Sequence, residues 1–228
     1  DLFKKLFVNY LNRRYQLELD IKQLDINDIN GIVDLHLSAF PDSLLTKLGR
    51  ETLYRNYLWQ FSSKNAEIYP TGVFIEGKLV AYCIGGFLCG AVNGFLYNNR
   101  KHLMKAMMLH PTLLFKPEYF NKIWTGLKAY IRLLFSKRNR NLINGDVKLK
   151  TNRRQFGILV IATHPLYQKY SLGIRLMIEI ENIAKNLSCE TIILSVNTSN
   201  NISIGFHSLR GYKIVKEDNN TTNMVKTL

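Results

Sequence analysis

Cysteine is scarce in this chain. The 228 residues include three cysteines, Cys83, Cys89 and Cys189, and no two of them form a Cys-x-x-Cys pair. An odd set without paired spacing argues against a disulfide framework and against a zinc site built on thiolates. We therefore expect reduced, mostly buried thiols of the kind found in cytoplasmic proteins, and we predict no bound metal ion.

The chain also lacks an apolar run typical of a membrane span. The nearest candidate, residues 79–99, carries no charge, but four glycines and Asn93 interrupt it. A strand that continues into a buried connection explains this segment better than a span of about 20 residues. The first residues, Asp1–Lys5, lack the apolar core of a signal peptide, which favours a cytoplasmic location.

Acidic residues are few: 17 Asp and Glu stand against 31 Lys and Arg, which gives a net charge of +14 at pH 7. The excess is local, because residues 100–155 contain 14 basic and 2 acidic residues while the rest of the chain contains 17 and 15. An anionic partner is therefore expected at this one segment. No recognition motif accompanies the charge, which argues against nucleic acid as that partner.

Hydrophobic periodicity predicts strands and helices around one long insertion. A basic amphipathic helix is predicted for residues 2–15, at the start of the chain. The predicted order continues with strand 17–24, helices 28–39 and 44–61, a hairpin of strands 72–76 and 79–84, helices 97–110 and 117–137, strand 156–163, helix 171–187, strand 191–196, helix 200–209, and strands 212–216 and 222–227.

The stretch Thr163–Gly173 carries the strongest functional signal. An apolar run over residues 156–162 leads into it, and a helical pattern over residues 174–185 follows it. A strand, a tight polar turn and a helix start direct free backbone N–H groups towards a phosphate. Gly173 is the small residue that lets the backbone approach an anion closely. Taken alone, the pattern is also compatible with an ordinary connection between a strand and a helix.

A second block follows at a fixed distance from the first. After the strand over residues 191–196, the chain contains a spaced set of polar, small and aromatic residues: Asn200, Ser203, His207, Gly211 and Tyr212. This block resembles the closing motif Asn-x-x-Ala-x-x-x-Tyr-x-x-x-Gly-Phe of the GCN5-related N-acetyltransferases. The earlier order Gln168-x-x-Ser171-x-Gly173 resembles their acetyl-CoA loop, Gln/Arg-x-x-Gly-x-Gly/Ala.

The resemblance covers residues 17–228 apart from the insertion, and it implies a fold. We expect an α/β protein with a mixed, mostly antiparallel central sheet flanked by helices. Residues 1–228 would form a single acetyltransferase domain, with an N-terminal helical extension over residues 1–16. Residues 85–155 would form a basic helical insert between the hairpin and the cofactor-binding strand, and residues 156–228 the acetyl-CoA-binding core.

The resemblance also implies acetyl-CoA as co-substrate. In the family, the main chain of the core strand pairs with the pantetheine arm, a role that falls here on Ile161 and Thr163. Asn200 is a further expected cofactor contact. The loop residues expected to wrap the pyrophosphate are Gln168, Lys169, Tyr170, Ser171, Leu172, Gly173 and Ile174. Ser171 stands where the family has glycine, so its Cβ either crowds the phosphate or its hydroxyl donates to it.

The resemblance places His207 where the family has a tyrosine that protonates the leaving thiolate. An imidazolium group is able to give a proton to a thiolate at neutral pH, so His207 is the predicted general acid. A purely structural role for His207 is the alternative. The sequence does not identify the general base. The candidates are His164, Glu76 and Asp42, and a role outside catalysis explains each of them more simply. Tyr212 is expected in the core.

The predicted function is transfer of an acetyl group from acetyl-CoA to a primary amine of a small acceptor. For the basic insert, the alternatives are a helix packed on the core, a lid selecting an anionic acceptor, and a surface docking on anionic lipid at the inner membrane face. Two other readings of the chain stay open: a non-catalytic module that binds CoA, and a membrane-docked acyltransferase of polysaccharide or lipid modification.

Overall fold

The computed structural model of the protein describes residues 19–62, 66–88, 91–116, 124 and 154–228. The helix predicted for residues 2–15 lies outside these residues. The same holds for the helix predicted for residues 117–137, apart from Trp124, and for the greater part of the basic insert.

The contacts within the chain divide it into two compact units. The first contains the described residues of Asp1–Leu24, Ile68–Phe87 and Asn152–Leu228, and the second those of Asp25–Glu67 and Leu88–Thr151. The assignment of the whole chain to a single acetyltransferase domain stays a prediction.

The first unit is built on a seven-stranded sheet with the order β1-β2-β3-β4-β5-β7-β6. The strands are β1 (Leu19–Gln23), β2 (Ala66–Ile75), β3 (Lys78–Leu88), β4 (Gln155–Thr163), β5 (Thr191–Asn197), β6 (Lys213–Glu217) and β7 (Thr221–Thr227). Among the pairs with a described register, β4 and β5 are parallel, and β1–β2, β3–β4, β5–β7 and β6–β7 are antiparallel. The predicted mixed, mostly antiparallel sheet flanked by helices is confirmed.

The helices are α1 (Ile29–Ala39), α2 (Leu44–Lys47), α3 (Arg50–Ser62), α4 (Ala91–Asn98), α5 (Arg100–Leu109), α6 (Leu172–Asn186) and α7 (Asn201–Leu209). Of these helices in the described part of the chain, α6 and α7 belong to the first unit. Short 3-10 turns cover Ile26–Asp28, Pro111–Phe115 and Pro165–Tyr170.

The predicted hairpin is present and turns at Glu76 and Gly77. Both residues have positive φ, 50° and 75°, which is the backbone of a two-residue turn whose twist matches the flanking strands. The uncharged segment that begins at Leu79 is β3, which runs to Leu88. No helix within the described part of the chain is long and apolar enough to cross a membrane.

The core of the first unit lies between α6 and the sheet. The helix presents a fully buried stripe at helical spacing, Leu172, Leu176, Met177, Ile180 and Ala184. Burying one such Leu, Ile or Met side chain contributes about 1.5–3 kcal/mol, so this stripe fixes α6 against the strands. Cys83 and Cys189 are free thiols buried in the same core, as expected, and burial raises the pKa of Cys83.

Two helices of the second unit were each predicted as continuous, and the structure shows that each is interrupted. The helix predicted for residues 44–61 is two helices, because Gly49 adopts φ 97° and ends the first one. The helix predicted for residues 97–110 is the last part of α4 followed by α5. Asn99, at φ −104° and ψ 14°, separates these two helices.

Candidate functional site

β4 and β5 are paired only along their first halves. The register runs from Gln155 opposite Thr191 to Ile158 opposite Leu194. Beyond Ile158, β4 continues to Thr163 and β5 to Asn197, and the described register joins none of these residues across the pair. The two strands therefore separate towards their carboxyl ends.

The main chain of Ile161 and Thr163 faces this separation. On the other side of β4, the backbone N–H of His164 donates to the carbonyl of Val80 on β3 at 2.9 Å. Along a strand, successive residues turn their N–H and C=O groups to opposite edges. His164 and Ala162 therefore bond towards β3, and the backbone groups of Ile161 and Thr163 point towards β5. The polar main chain that the resemblance assigns to the pantetheine arm is open on this edge.

A bulge lies where the pairing between β4 and β5 stops. Ile84 is opposite Val160, but the next residue of β3, Gly85, is opposite Ile158. Leu159 is therefore an extra residue without a counterpart on β3, and its side chain is 38% exposed. A bulge of this kind bends the strand and re-aims its backbone groups, which accounts for the start of the separation.

The loop after β4 is held in shape by its own residues. His164 accepts a hydrogen bond at Nδ1 from the backbone N–H of Leu166 at 3.3 Å, and its ring packs edge-on against Tyr167 at 5.8 Å between centroids. The cap on the following 3-10 turn explains a histidine at position 164 without a catalytic role. Gln168 and Lys169 are exposed, and the ammonium of Lys169 lies 5.4 Å from the centroid of the Tyr170 ring.

Ser171 joins the turn to α6 in a left-handed conformation, with φ 57° and ψ 26°. This is a backbone region in which glycine is unstrained and a residue with Cβ is not. The position that departs from the family pattern is thus one where glycine fits best. The Ser171 side chain makes no capping hydrogen bond to the helix.

The N-terminus of α6 offers backbone donors beside this loop. The carbonyl of Ser171 accepts from the N–H groups of Ile174 and Arg175 at 3.1 and 3.3 Å, which is where the bonding within the helix begins. The N–H groups of Leu172 and Gly173 precede that point, so they have no acceptor inside the helix. Together with the helix dipole, they form an end suited to an anion.

Three elements meet at Gly173. A Cβ placed on it would lie 3.4 Å from Cζ of Phe206 on α7 and 4.0 Å from Oγ1 of Thr163 at the end of β4. The start of α6, the open edge of β4 and one face of α7 therefore enclose the same point. Residues 168–174, predicted to bind the phosphate, lead from the loop after β4 into the start of α6. Ile161 and Thr163, predicted to bind the arm, lie on β4 itself. The binding role of both sets stays a prediction.

Asn200 is the N-cap of α7. Its Oδ1 accepts from the backbone N–H of Ser203 at 3.0 Å, which satisfies one of the donors left over at a helix start. This bond explains the asparagine structurally, and the predicted contact with the cofactor stays a prediction.

His207 lies inside the first unit. The residue is 2% exposed, and its ring packs edge-on against Phe206 and Tyr212 at centroid distances of 5.0 and 5.5 Å. Burial, with a smaller contribution from the positive charge of Arg210, lowers the pKa of His207 to about 4. The imidazole is therefore neutral at pH 7. The general-acid role stays a prediction, and this environment argues against the imidazolium form that it requires.

A buried ion cluster surrounds this histidine. Glu181 on α6 is paired with Arg210 at 3.0 Å and with Lys226 at 2.9 Å, and its side chain is 3% exposed. Tyr212 is 2% exposed and belongs to the core, as expected, and burial raises the pKa of its hydroxyl. His207 and Tyr212 thus sit beside a structural charge network on the core side of α6.

The proposed bases other than His164 lie at simple surface positions. Glu76 is the first residue of the hairpin turn and is exposed. Asp42, in the second unit, is 86% exposed and pairs with Lys47 at 3.0 Å. Among the residues that the structure describes, no group of three or more His, Cys, Asp or Glu side chains is arranged to hold a metal ion.

Phe206 is the residue at this site that the sequence did not indicate. The motif directs attention to position 207, and consecutive residues on a helix are turned by about 100° from each other. In this chain the face of α7 that meets Gly173 carries Phe206, while His207 points into the core.

Comparison with known proteins agrees with this geometry. Residues 127–212 match the model of the acetyltransferase (GNAT) family, a span that includes β4, the loop, α6, β5 and α7. No curated protein sequence matches the chain. The chain is similar to GNAT acetyltransferases over residues 127–212, and the residues that the two motifs indicated fall within this stretch.

Solved acetyltransferase structures share the fold. A PaiA N-acetyltransferase from Thermoplasma acidophilum, in complex with coenzyme A, superposes with a TM-score of 0.57 at 14% identity and covers 93% of this chain and 100% of its own. YncA from Salmonella typhimurium, with its cofactor acetyl-CoA, gives 0.56 at 12% identity, over 92% and 94% of the two chains. The ribosomal-protein-S18-alanine N-acetyltransferase of Escherichia coli gives 0.53 at 12%, over 92% and 94%.

Proposed function

We propose that the protein is a cytoplasmic N-acetyltransferase that moves an acetyl group from acetyl-CoA to a primary amine of a small, anionic acceptor. One observation carries the proposal most: the open main-chain edge of Ile161 and Thr163 leads directly to the uncapped N-terminus of α6. The family match over residues 127–212 supports it, because that stretch contains both features.

The residues at the site fit acetyl-CoA. The outward backbone groups of Ile161 and Thr163 suit the amides of the pantetheine arm, and the N–H groups at Leu172 and Gly173 suit the pyrophosphate. Lys169 adds a positive charge on the exposed side of the loop. Gly173 puts no side chain into the junction of β4 and α6, where a Cβ would already contact the Phe206 ring at 3.4 Å.

Acetyl-CoA supplies a thioester, and the protein has to orient it and stabilise charge on its carbonyl oxygen. In the overall reaction the amine nitrogen forms a bond to the carbonyl carbon and the C–S bond breaks. The sulfur keeps the electron pair and takes up a proton, and the nitrogen releases one. The bulge at Leu159 turns backbone groups out of the sheet at the point where β4 leaves β5, which is where we place the polarising N–H donors.

The role of His207 is open to a direct test. His207→Ala should be compared with the wild type in turnover and in acetyl-CoA affinity. A loss of turnover at unchanged affinity would support the general acid. Because the pKa of His207 is lowered to about 4, we expect turnover per folded molecule to change little, and we expect stability to fall instead.

The anionic acceptor is proposed from charge alone. Residues 100–155 contain 14 basic and 2 acidic residues, and most of them lie outside the described part of the chain. A paired screen tests the idea: primary amines that carry a phosphate or carboxylate are compared with neutral amines of equal size at low and high salt. The anionic set should react faster, with a difference that shrinks as salt screens the charge. Equal rates would contradict this part of the proposal. Docking on an anionic membrane through the same insert stays a prediction.

A non-catalytic CoA-binding module is the second candidate, favoured by Ser171 and by the buried, neutral His207. Release of free thiol from acetyl-CoA, measured with a broad panel of primary amines, separates the two candidates. Amine-dependent release supports the enzyme. Tight binding of acetyl-CoA without release by any amine supports the module.

A further inference from the structure

We propose that Phe206 positions the cofactor: its ring forms the wall against which the pantetheine arm packs between β4 and α6. This inference rests on the proposed function, because it requires that CoA binds at the predicted loop. It adds a residue that neither the motif nor the family resemblance indicates.

The position of the ring is the first observation. A Cβ on Gly173 would lie 3.4 Å from Cζ and 3.7 Å from Cε2 of Phe206, and 4.0 Å from Oγ1 of Thr163. The ring therefore occupies the junction between the end of β4 and the beginning of α6. All three residues belong to the first unit, so this geometry is internal to one compact body.

The path expected for the ligand is the second step of the argument. The outward backbone groups of Ile161 and Thr163 lie on one side of this junction, and the donors at the α6 N-terminus lie on the other. A ligand that bonds to both has to cross the junction beside the Phe206 ring. The crossing segment of CoA is the arm next to the pyrophosphate, whose methylene groups are suited to an aromatic surface.

The Phe206 ring is fixed by packing on the core and is still partly accessible to a ligand. Phe206 is half-buried and packs against the main core cluster of the first unit, whereas the adjacent His207 is 2% exposed. Burial of His207 fixes the rotation of α7, and so it also fixes the direction in which Phe206 points. A rigid aromatic side chain adds contact area with little loss of conformational freedom on binding.

The expected effect is on affinity rather than on chemistry. Phe206→Ala should weaken CoA binding about tenfold, because it removes the apolar contact with the arm. Phe206→Leu should retain most of the affinity. With acetyl-CoA as the varied substrate, KM should rise in Phe206→Ala while kcat stays near the wild-type value.

The test compares two probes by calorimetry on the full chain. CoA has the arm, and ADP, used as the second probe, has the pyrophosphate without it. Phe206→Ala should weaken CoA binding and leave ADP binding unchanged. Ile202→Ala is the matched control on the same helix, since Ile202 is 88% exposed, and it should change neither affinity. Thermal melting of each variant establishes that the proteins compared are folded.

The outcomes separate the inference from the function on which it rests. If the wild type binds CoA and Phe206→Ala binds it with the same affinity, the role of Phe206 is overturned while the proposed function stands. Equal weakening of CoA and ADP would also overturn it, because the ring would then only support the loop. Failure of the wild type to bind CoA at all would overturn the proposed function and this inference together.

Discussion

The carboxylate of Glu181 on α6 is bonded to the guanidinium of Arg210, next to the C-terminal end of α7, with 3.0 Å between Oε1 and Nη2. The Glu181 side chain is 3% exposed and that of Arg210 is 15% exposed, so the pair is largely shielded from water. Removing the carboxylate leaves the partner charges of Arg210 and Lys226 without compensation. For Glu181→Gln we expect a loss of about 2–4 kcal/mol in the free energy of unfolding, measured by urea denaturation.

A second ion pair in the same unit is the matched control for this prediction. Glu190 pairs with Arg154 at 3.2 Å, but the two side chains are 60% and 73% exposed. Glu190→Gln should change the free energy of unfolding by less than about 1 kcal/mol. Equal effects of the two substitutions would show that the Glu181 cluster is not the buried network described here.

Ser171→Gly should both stabilise the protein and strengthen CoA binding. The residue has φ 57°, a region in which a Cβ is strained, and the loop backbone there is expected to contact the pyrophosphate. We expect a gain of up to about 1 kcal/mol in unfolding free energy, because glycine removes the strain but increases the freedom of the unfolded chain. Calorimetry with CoA measures the second effect.

Ser188 supplies the control for that substitution. It also has φ 57° but lies just beyond the C-terminal end of α6, at the other end of the helix from the loop. Ser188→Gly should therefore give a similar change in stability and no change in CoA affinity. A weaker affinity in Ser171→Gly would mean that the serine hydroxyl donates to the phosphate, and an unchanged affinity would contradict crowding of the phosphate by the Ser171 Cβ.

Stability should fall as the solution becomes acidic, starting below about pH 6.5. Burial lowers the pKa of both His36 and His207 from 6.5 to about 4 in the folded protein. On acidification, these two histidines therefore become protonated near pH 6.5 in the unfolded chain, but only near pH 4 in the folded protein. Each histidine should reduce the free energy of unfolding by about 1.4 kcal/mol per pH unit within that interval.

Urea titrations at several pH values between 7.5 and 5 measure this slope. Above pH 6.5, His36 and His207 should not make the free energy of unfolding depend on pH. In His207→Leu the slope below pH 6.5 should be smaller than in the wild type by about 1.4 kcal/mol per pH unit. A slope that is equal in the two proteins would contradict the environment described for His207.

A directed chain of hydrogen bonds fixes the tautomer of His36 in the second unit. Thr46 donates its hydroxyl to the carbonyl of Phe40 at 2.8 Å, so it accepts the hydroxyl of Ser43 at 2.9 Å. Ser43 then accepts from Nε2 of His36 at 3.2 Å, which leaves Nδ1 to accept from the Tyr57 hydroxyl at 2.6 Å. The order of donors follows from each hydroxyl having one proton.

Tyr57→Phe tests this chain. The change leaves the buried Nδ1 of His36 without its donor from Tyr57, and we expect a loss of about 1–2 kcal/mol in unfolding free energy. Tyr54→Phe on the same helix is the control, because Tyr54 is half-buried and should change stability by less than about 0.5 kcal/mol. Similar values for the two variants would contradict the assigned network.

The sequence predicted the strands and helices of residues 155–228 well, because their signals are local. The apolar run before Thr163, the glycine at 173 and the periodic stripe on α6 each fix an element within a few residues. The break at Gly49 was missed, since a helical pattern on both sides concealed a single residue with positive φ.

The side-chain environments at the site were not predictable from local pattern. His207 is buried beside Glu181, which lies on another helix, and a sequence motif contains no information about that packing. The contact between Gly173 and Phe206 joins two helices in the same way. Position in a motif therefore located the loop between β4 and α6, while the direction of each side chain had to come from the fold.

The most direct test of the account is a calorimetric titration of the purified protein with acetyl-CoA, repeated on Gly173→Trp. A tryptophan at position 173 would extend into the space shared with Phe206 and Thr163. Gly205→Trp is the control, since a Cβ on Gly205 has no atom within 4 Å. We predict micromolar binding in the wild type and in Gly205→Trp. In Gly173→Trp we predict loss of binding, with circular dichroism showing that the fold is retained. Absence of binding in the wild type, or equal binding in all three proteins, would contradict the cofactor site.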